Sequence, residues 1–181
     1  MKFLRKNWYH FLVWGLMIGY VILSPRLELK YFLQQGKPEH VEGVTFASSD
    51  LIFSGLEDTK LVQLNGENLY KFNGWSFLST ASDLTDYDIY FVLYSDAHQY
   101  LYSTTAVGRR DIRKAFKQYT LDLSMCGFIT YVAKEPVKIG EYQVGYLYVH
   151  KQTGEKVFQL TDRVVIRTPN TLQLVELEEQ E

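Results

Sequence analysis

The chain has 181 residues, which fits one domain or one domain with a short appendage. Lys and Arg total 19 against 21 Asp and Glu, and this formal net charge of −2 argues against a nucleic-acid binder working by bulk positive charge. A content of 46% hydrophobic and 22% charged residues excludes a disordered chain, and a lone cysteine, Cys126, excludes an internal disulfide or a cysteine-rich zinc site.

The first element in chain order is an apolar run from Trp8 to Ser24 that contains no Asp, Glu, Lys or Arg. Lys2, Arg5 and Lys6 precede it, and Pro25-Arg26 closes it. As a helix the run would span roughly 25 Å, at the short end for crossing a bilayer. Trp8, Tyr9 and Tyr20 suit a membrane interface. A cleaved signal peptide has the same basic start and apolar middle, but no small-x-small site follows the run and Pro25 disfavours cleavage. The expectation is an uncleaved, single-pass signal-anchor over residues 1–24, with the lipid bilayer as a partner. His10 lies near the start of the run, where a neutral imidazole can reach headgroup water. Basic residues flank both ends, so the charge bias for an extracytoplasmic C-terminal domain is weak.

Residues 25–43 read as a stalk that ends in the breakers of Gln34-Gln-Gly-Lys-Pro38. From Val44 to about Thr168 the pattern changes to short runs of β-formers with period-two alternation. Expected strands include Val44–Phe46, Asp50–Ser54, Lys60–Leu64, Asn68–Phe72 and Trp75–Leu78, with tight turns at Asn65-Gly66 and Asn73-Gly74. Tyr87–Tyr94 is the strongest strand, and Gln99–Thr104 follows it with Tyr100 and Tyr102 on one face. Ile112 and Phe116, four apart, predict one or two helical turns. Strands resume at Gly127–Ala133, Glu141–Val149, Lys156–Leu160 and Arg163–Arg167. The predicted fold class is all-β: an immunoglobulin-like antiparallel β-sandwich over residues 44–168, preceded by one transmembrane helix and followed by an acidic, loosely ordered tail at 169–181.

Several short motifs occur in order: Asn73-Gly-Trp-Ser-Phe77, Tyr90-Phe-Val-Leu-Tyr94, Arg110-Asp-Ile112 with Phe116, Cys126-Gly-Phe128, and Ile139-Gly-Glu-Tyr-Gln-Val144. This succession resembles a β-sandwich accessory module found with bacterial cell-envelope glycopolymer synthesis proteins, including teichoic-acid-type polymerases. The resemblance covers roughly residues 65–166. It implies a fold and a cell-envelope context and leaves the biochemical activity open; the partners expected beside it are a membrane protein and a carbohydrate or anionic glycopolymer. It carries no catalytic residues, and no transferase domain accompanies the motifs here.

Recognisable catalytic signatures are missing from the sequence: no His-Glu-x-x-His, Gly-x-Ser-x-Gly, phosphate-binding loop or dinucleotide fingerprint occurs. The four histidines, at positions 10, 40, 98 and 150, lack metal-ligand spacing, and no cofactor is expected. Cys126 reads as a small core residue. Asp83, Asp86 and Asp88 suit a turn better than a calcium loop, and an enzyme built on them is the weakest of the functional readings. Arg109, Arg110, Asp111 and Arg113 fit either a structural ion pair or a phosphate-binding patch, with Arg109 and Arg113 the better patch candidates. Tyr90, Tyr94, Tyr100, Tyr102, Tyr146 and Tyr148 fit core packing most simply, while an exposed row of them would offer a surface for sugar rings or a protein partner. The apolar anchor, the lack of catalytic signatures and what the resemblance implies together lead to the expectation of a non-catalytic, membrane-anchored accessory or binding subunit in envelope glycopolymer assembly. The alternative is a structural subunit of a membrane complex unrelated to sugars.

Overall fold

A computed structural model describes residues 13–20, 36–40, 49–64 and 67–176. The chain divides into two units, Met1–Gln34 and Gln35–Glu181. In the first, residues 13–20 are helical (α1). The other residues of the predicted anchor lie outside the described ones, and among those described no helix is long and apolar enough to cross a membrane.

The second unit is built on two antiparallel sheets. In chain order its strands are β1 (Glu39–His40), β2 (Ile52–Leu64), β3 (Glu67–Leu78), β4 (Tyr87–Tyr94), β5 (Gln99–Ser103), β6 (Thr105–Val107), β7 (Gly127–Ala133), β8 (Gly140–His150), β9 (Lys156–Arg167) and β10 (Leu172–Glu176). A six-stranded sheet has the order β1-β5-β4-β8-β9-β10, and a four-stranded sheet the order β2-β3-β7-β6. One short helix, α2 (Arg110–Ala115), interrupts the strands between β6 and β7.

The all-β expectation holds, and the strand boundaries change. Asp50–Ser54 and Lys60–Leu64 are parts of a single strand, β2, with a bulge between Leu56 and Asp58. Asn73-Gly74, expected as a turn, instead continues β3. Gly74 is needed for close approach: a Cβ there would stand 2.5 Å from the carbonyl oxygen of Gly55 and 2.8 Å from the Phe128 ring. The expected turn at Asn65-Gly66 lies outside the described residues, although Leu64 is registered opposite Glu67 across it. The expected strand Val44–Phe46 also lies outside them. Lys156–Leu160 and Arg163–Arg167 merge into β9, whose residues 161–163 bulge opposite the single residue between Gln143 and Gly145 of β8.

The paired strands extend beyond both ends of the predicted sandwich. Residues 36–40 belong to the domain rather than to a stalk: Ala133 donates its amide to the Gly36 carbonyl, and β1 pairs with β5. The tail contributes β10, which pairs with β9 from Leu172 opposite Arg167 to Glu176 opposite Arg163. Single-sequence alternation misses both because an edge strand buries only part of one face.

The sheets meet over an aromatic core. Phe72 of β3 lies against Phe91 of β4 with centroids 4.9 Å apart, and Phe128 of β7 meets Tyr146 of β8 at 5.3 Å edge-to-face. Each such ring stabilises the fold by roughly 1.5–3 kcal/mol on burial. Ser76 Oγ of β3 and Tyr148 Oη of β8 share a buried hydrogen bond of 2.8 Å that ties one sheet to the other. The hydroxyls of Tyr102 and Tyr146, in contrast, are buried without a hydrogen-bond partner among the described residues.

This contrast yields a stability prediction. Tyr148→Phe strands the Ser76 hydroxyl and lowers unfolding free energy by about 1–2 kcal/mol, whereas Tyr146→Phe removes an unsatisfied hydroxyl and changes stability by less than about 0.5 kcal/mol or raises it. Urea unfolding followed by tryptophan fluorescence checks both, and equal losses for the two variants contradict this account.

Candidate functional site

The structure divides the six candidate tyrosines between the two faces of the six-stranded sheet. Tyr100, Tyr102, Tyr146 and Tyr148 point between the sheets as part of the main core. Tyr102, Tyr146 and Tyr148 are each 0% exposed, so they cannot form an open surface. Burial also pushes their phenols well above the ordinary range. Tyr90 and Tyr94 lie on the opposite face, half-buried against Val92, Leu101, Leu147 and Phe158. The idea of one exposed tyrosine row is thus corrected by the pleat: Tyr100 and Tyr102 alternate inward on β5, and Tyr146 and Tyr148 do so on β8.

Arg109 and Arg113, four residues apart, have different roles. Arg109 fixes the start of α2: its Nε and Nη2 donate to the two carboxylate oxygens of Asp111 at 2.9 and 2.6 Å, and Nη2 also reaches Glu57 of β2 at 2.7 Å. With only 17% of its side chain exposed, and both acids engaged, Arg109 is structural. It is removed from the candidate binding residues. Arg113, by contrast, is 65% exposed and lies 3.7 Å from Asp122.

The helix that carries Arg113 has two unlike faces. Ile112 is buried, and Phe116 and Tyr119 in the turn beyond it pack on Phe53 and Phe77 from β2 and β3. Trp75 completes this cluster, 5.4 Å from Phe116. These rings cover the outer side of the four-stranded sheet, and Phe53 remains 37% exposed at the edge. Arg110, Arg113 and Lys114 lie at i, i+3 and i+4 on the helix, Lys117 follows in the turn after it, and all four are exposed. A recess of about 340 Å³ opens beside them, lined by Arg113, Phe116, Lys117, Tyr119, Thr120 and Asp122 among others. Sequence reading found the arginines and the helix but not this juxtaposition, because Phe53 comes from a strand far away in the chain.

Other chemistry is sparse. A second recess of about 450 Å³ lies between the edge strands β2 and β10, with Leu61, Tyr70, Leu172 and Val175 in its lining. Its acids are already paired, Glu57 with Arg109 and Asp58 with Lys60. Asp83 and Asp122 cap single 3-10 turns by accepting the amides of Thr85 and Ser124, which lowers the pKa of both carboxyls. Among the described residues no group of His, Cys, Asp and Glu is arranged to hold a metal ion. Cys126 is buried, and desolvation pushes its thiol up to about 11.

The Arg109 clamp predicts a pH signature. Hydrogen bonding from Arg109 holds the Asp111 carboxyl at about 2, below its ordinary 3.8. A carboxyl that titrates lower in the folded state contributes stability above 3.8 that is lost as the pH falls towards 2. In Arg109→Met the Asp111 carboxyl therefore titrates near its ordinary value, and the acid-side fall in melting temperature between pH 4 and 2 becomes shallower. Carboxyl NMR titration with melting curves measures both, and an unchanged Asp111 midpoint contradicts the assignment. No protein-family model matches this chain, and no curated protein or solved structure does either.

Proposed function

We propose that this chain is a membrane-anchored, non-catalytic accessory or binding subunit of cell-envelope glycopolymer assembly, with an immunoglobulin-like β-sandwich displayed outside the membrane. The observation that carries the anchor is the surface of α1. Trp14, Leu16, Met17, Ile18 and Tyr20 are each 55–72% exposed on its eight helical residues. A helix that turns large apolar side chains outward in several directions suits lipid rather than water. The run of uncharged residues continues on both sides, from Trp8 to Ser24.

The envelope role is supported by the order of motifs over residues 65–166 and by the way the fold joins them. Gly74 and Trp75 are registered against Phe128 and Gly127, so two of the separate motifs meet on adjacent strands. The binding role is supported by a domain whose long strands leave an exposed cationic helix face and an aromatic recess side by side. A second reading, a structural subunit of a membrane complex unrelated to sugars, is favoured by the same open α1 surface, since a partner helix can cover it as lipid can.

Purification of the full chain in mild detergent should recover a polymer-synthesis membrane protein with it. Recovery of the chain alone, together with no retention on envelope polysaccharide, rejects the proposal. Replacing residues 8–24 with an unrelated membrane-spanning helix separates the two readings: a sugar-binding ectodomain keeps its polymer retention, whereas a structural subunit loses its partner and shows none.

A further inference from the structure

The α2 segment contains a local electrostatic conflict. Arg110 and Lys114 are like charges four residues apart on the helix, and Arg113 and Lys117, the latter in the turn just beyond it, bring two more cations to the rim of one recess. The pair within the helix destabilises it by about 0.2–0.5 kcal/mol. Asp111 offers no relief, because both of its oxygens bind Arg109. Arg110, Lys114 and Lys117 form no ion pair among the described residues, and Arg113 meets only Asp122, which also accepts the Ser124 amide.

The conflict stands out against the rest of the chain. Residues 25–181 hold 16 basic and 21 acidic side chains, yet residues 109–117 hold five basic and one acidic. The helix C-terminus favours Arg113 and Lys114, but not Arg110 in the first turn nor a further cation at Lys117, and unfavourable local choices of this kind concentrate at functional positions. This cationic stripe also borders the recess where Phe116 and Tyr119 present ring surface. Guanidinium and ammonium groups bind phosphate oxygens, and aromatic rings stack on the C–H faces of sugars.

We propose that the α2 stripe and its neighbouring recess bind a phosphate-bearing saccharide chain, with Arg113 and Lys117 on a phosphate and Tyr119 against the adjoining sugar. Arg110 and Lys114 extend the positive surface along the helix, so a chain with repeated phosphates fits better than a single phosphate. Asp122 partly neutralises the recess and disfavours a bare polyanion there. This deepens the binding-subunit reading by naming a ligand class, and it does not depend on the membrane partner.

The test uses the full chain in detergent and four probes: a phosphorylated mannan, the same mannan after phosphatase treatment, inorganic polyphosphate and inorganic phosphate. The phosphorylated mannan should bind at least about ten-fold more tightly than each of the others, the loss expected when one charge-assisted hydrogen bond is removed. Arg113→Gln combined with Lys117→Gln should abolish that preference without lowering the melting temperature, because both side chains are exposed and the Arg113–Asp122 pair is a solvent-exposed one that adds little stability. Lys134→Gln combined with Lys138→Gln, far along the chain, should leave binding unchanged. Equal weakening by the distant pair, or equal affinity for polyphosphate, shows general polyanion attraction and overturns the site. A fall in melting temperature on changing Arg113 and Lys117 assigns them a structural role and overturns it too. Loss of phosphomannan binding with retained co-purification of a polymer-synthesis protein rejects this site alone, while the reverse result rejects the assembly role alone.

Discussion

Two sheets can share a core only if each turns one face of its pleat inward, and here that face is filled largely by aromatic rings. Phe72, Phe91, Phe128, Tyr102, Tyr146 and Tyr148 are all at most 2% exposed. Tyrosine brings large apolar area to such a layer but also a hydroxyl that must be desolvated. Tyr148 meets that requirement through Ser76 on the opposite sheet, and Tyr142 by donating to the Lys138 carbonyl at 2.9 Å. The demands of this layer consume four of the six tyrosines considered for recognition, Tyr100, Tyr102, Tyr146 and Tyr148.

The second constraint follows from the outer side of the four-stranded sheet. Phe53, Trp75 and Phe77 there are apolar and require a cover, which the α2 segment supplies through Phe116 and Tyr119. Arg109 fastens the start of that cover to β2 through Glu57. Gly127 makes the arrangement sterically feasible, since a Cβ at that position would fall 2.4 Å from the Arg109 side chain. Packing thus dictates the inner half of α2 and leaves its outer half unconstrained. The cations of that outer half are therefore the residues whose identity packing does not explain.

These roles separate neighbouring residues that look alike. Arg109 and Arg113 have the same chemistry, but one is spent on two carboxylates at the sheet edge while the other faces solvent. Tyr90 and Tyr102 both occupy strand positions, but register places Tyr90 on one face of the sheet and Tyr102 on the other. Function in this domain is better sought where local electrostatics is left unsatisfied than where aromatic residues are most numerous.

The sequence by itself determined the all-β class, the strongest strand β4 together with β7 and β8, the helical turns around Ile112, and the burial of Cys126. Each rests on local periodicity or residue size, which neighbours along the chain express directly. It also marked residues 8–24 as apolar and uncharged. Tertiary structure alone decided that Asn73-Gly74 runs through a strand, because the close approach of Gly55 and Phe128 is a long-range contact. The same holds for the edge strands β1 and β10, whose pairing comes from partners rather than pattern. Which tyrosines face the core, which arginine is clamped, and that Phe53 meets Tyr119 beside the cationic helix were likewise decided there. All of these depend on strand register and on sheets brought together from distant segments, and neither is written in local spacing.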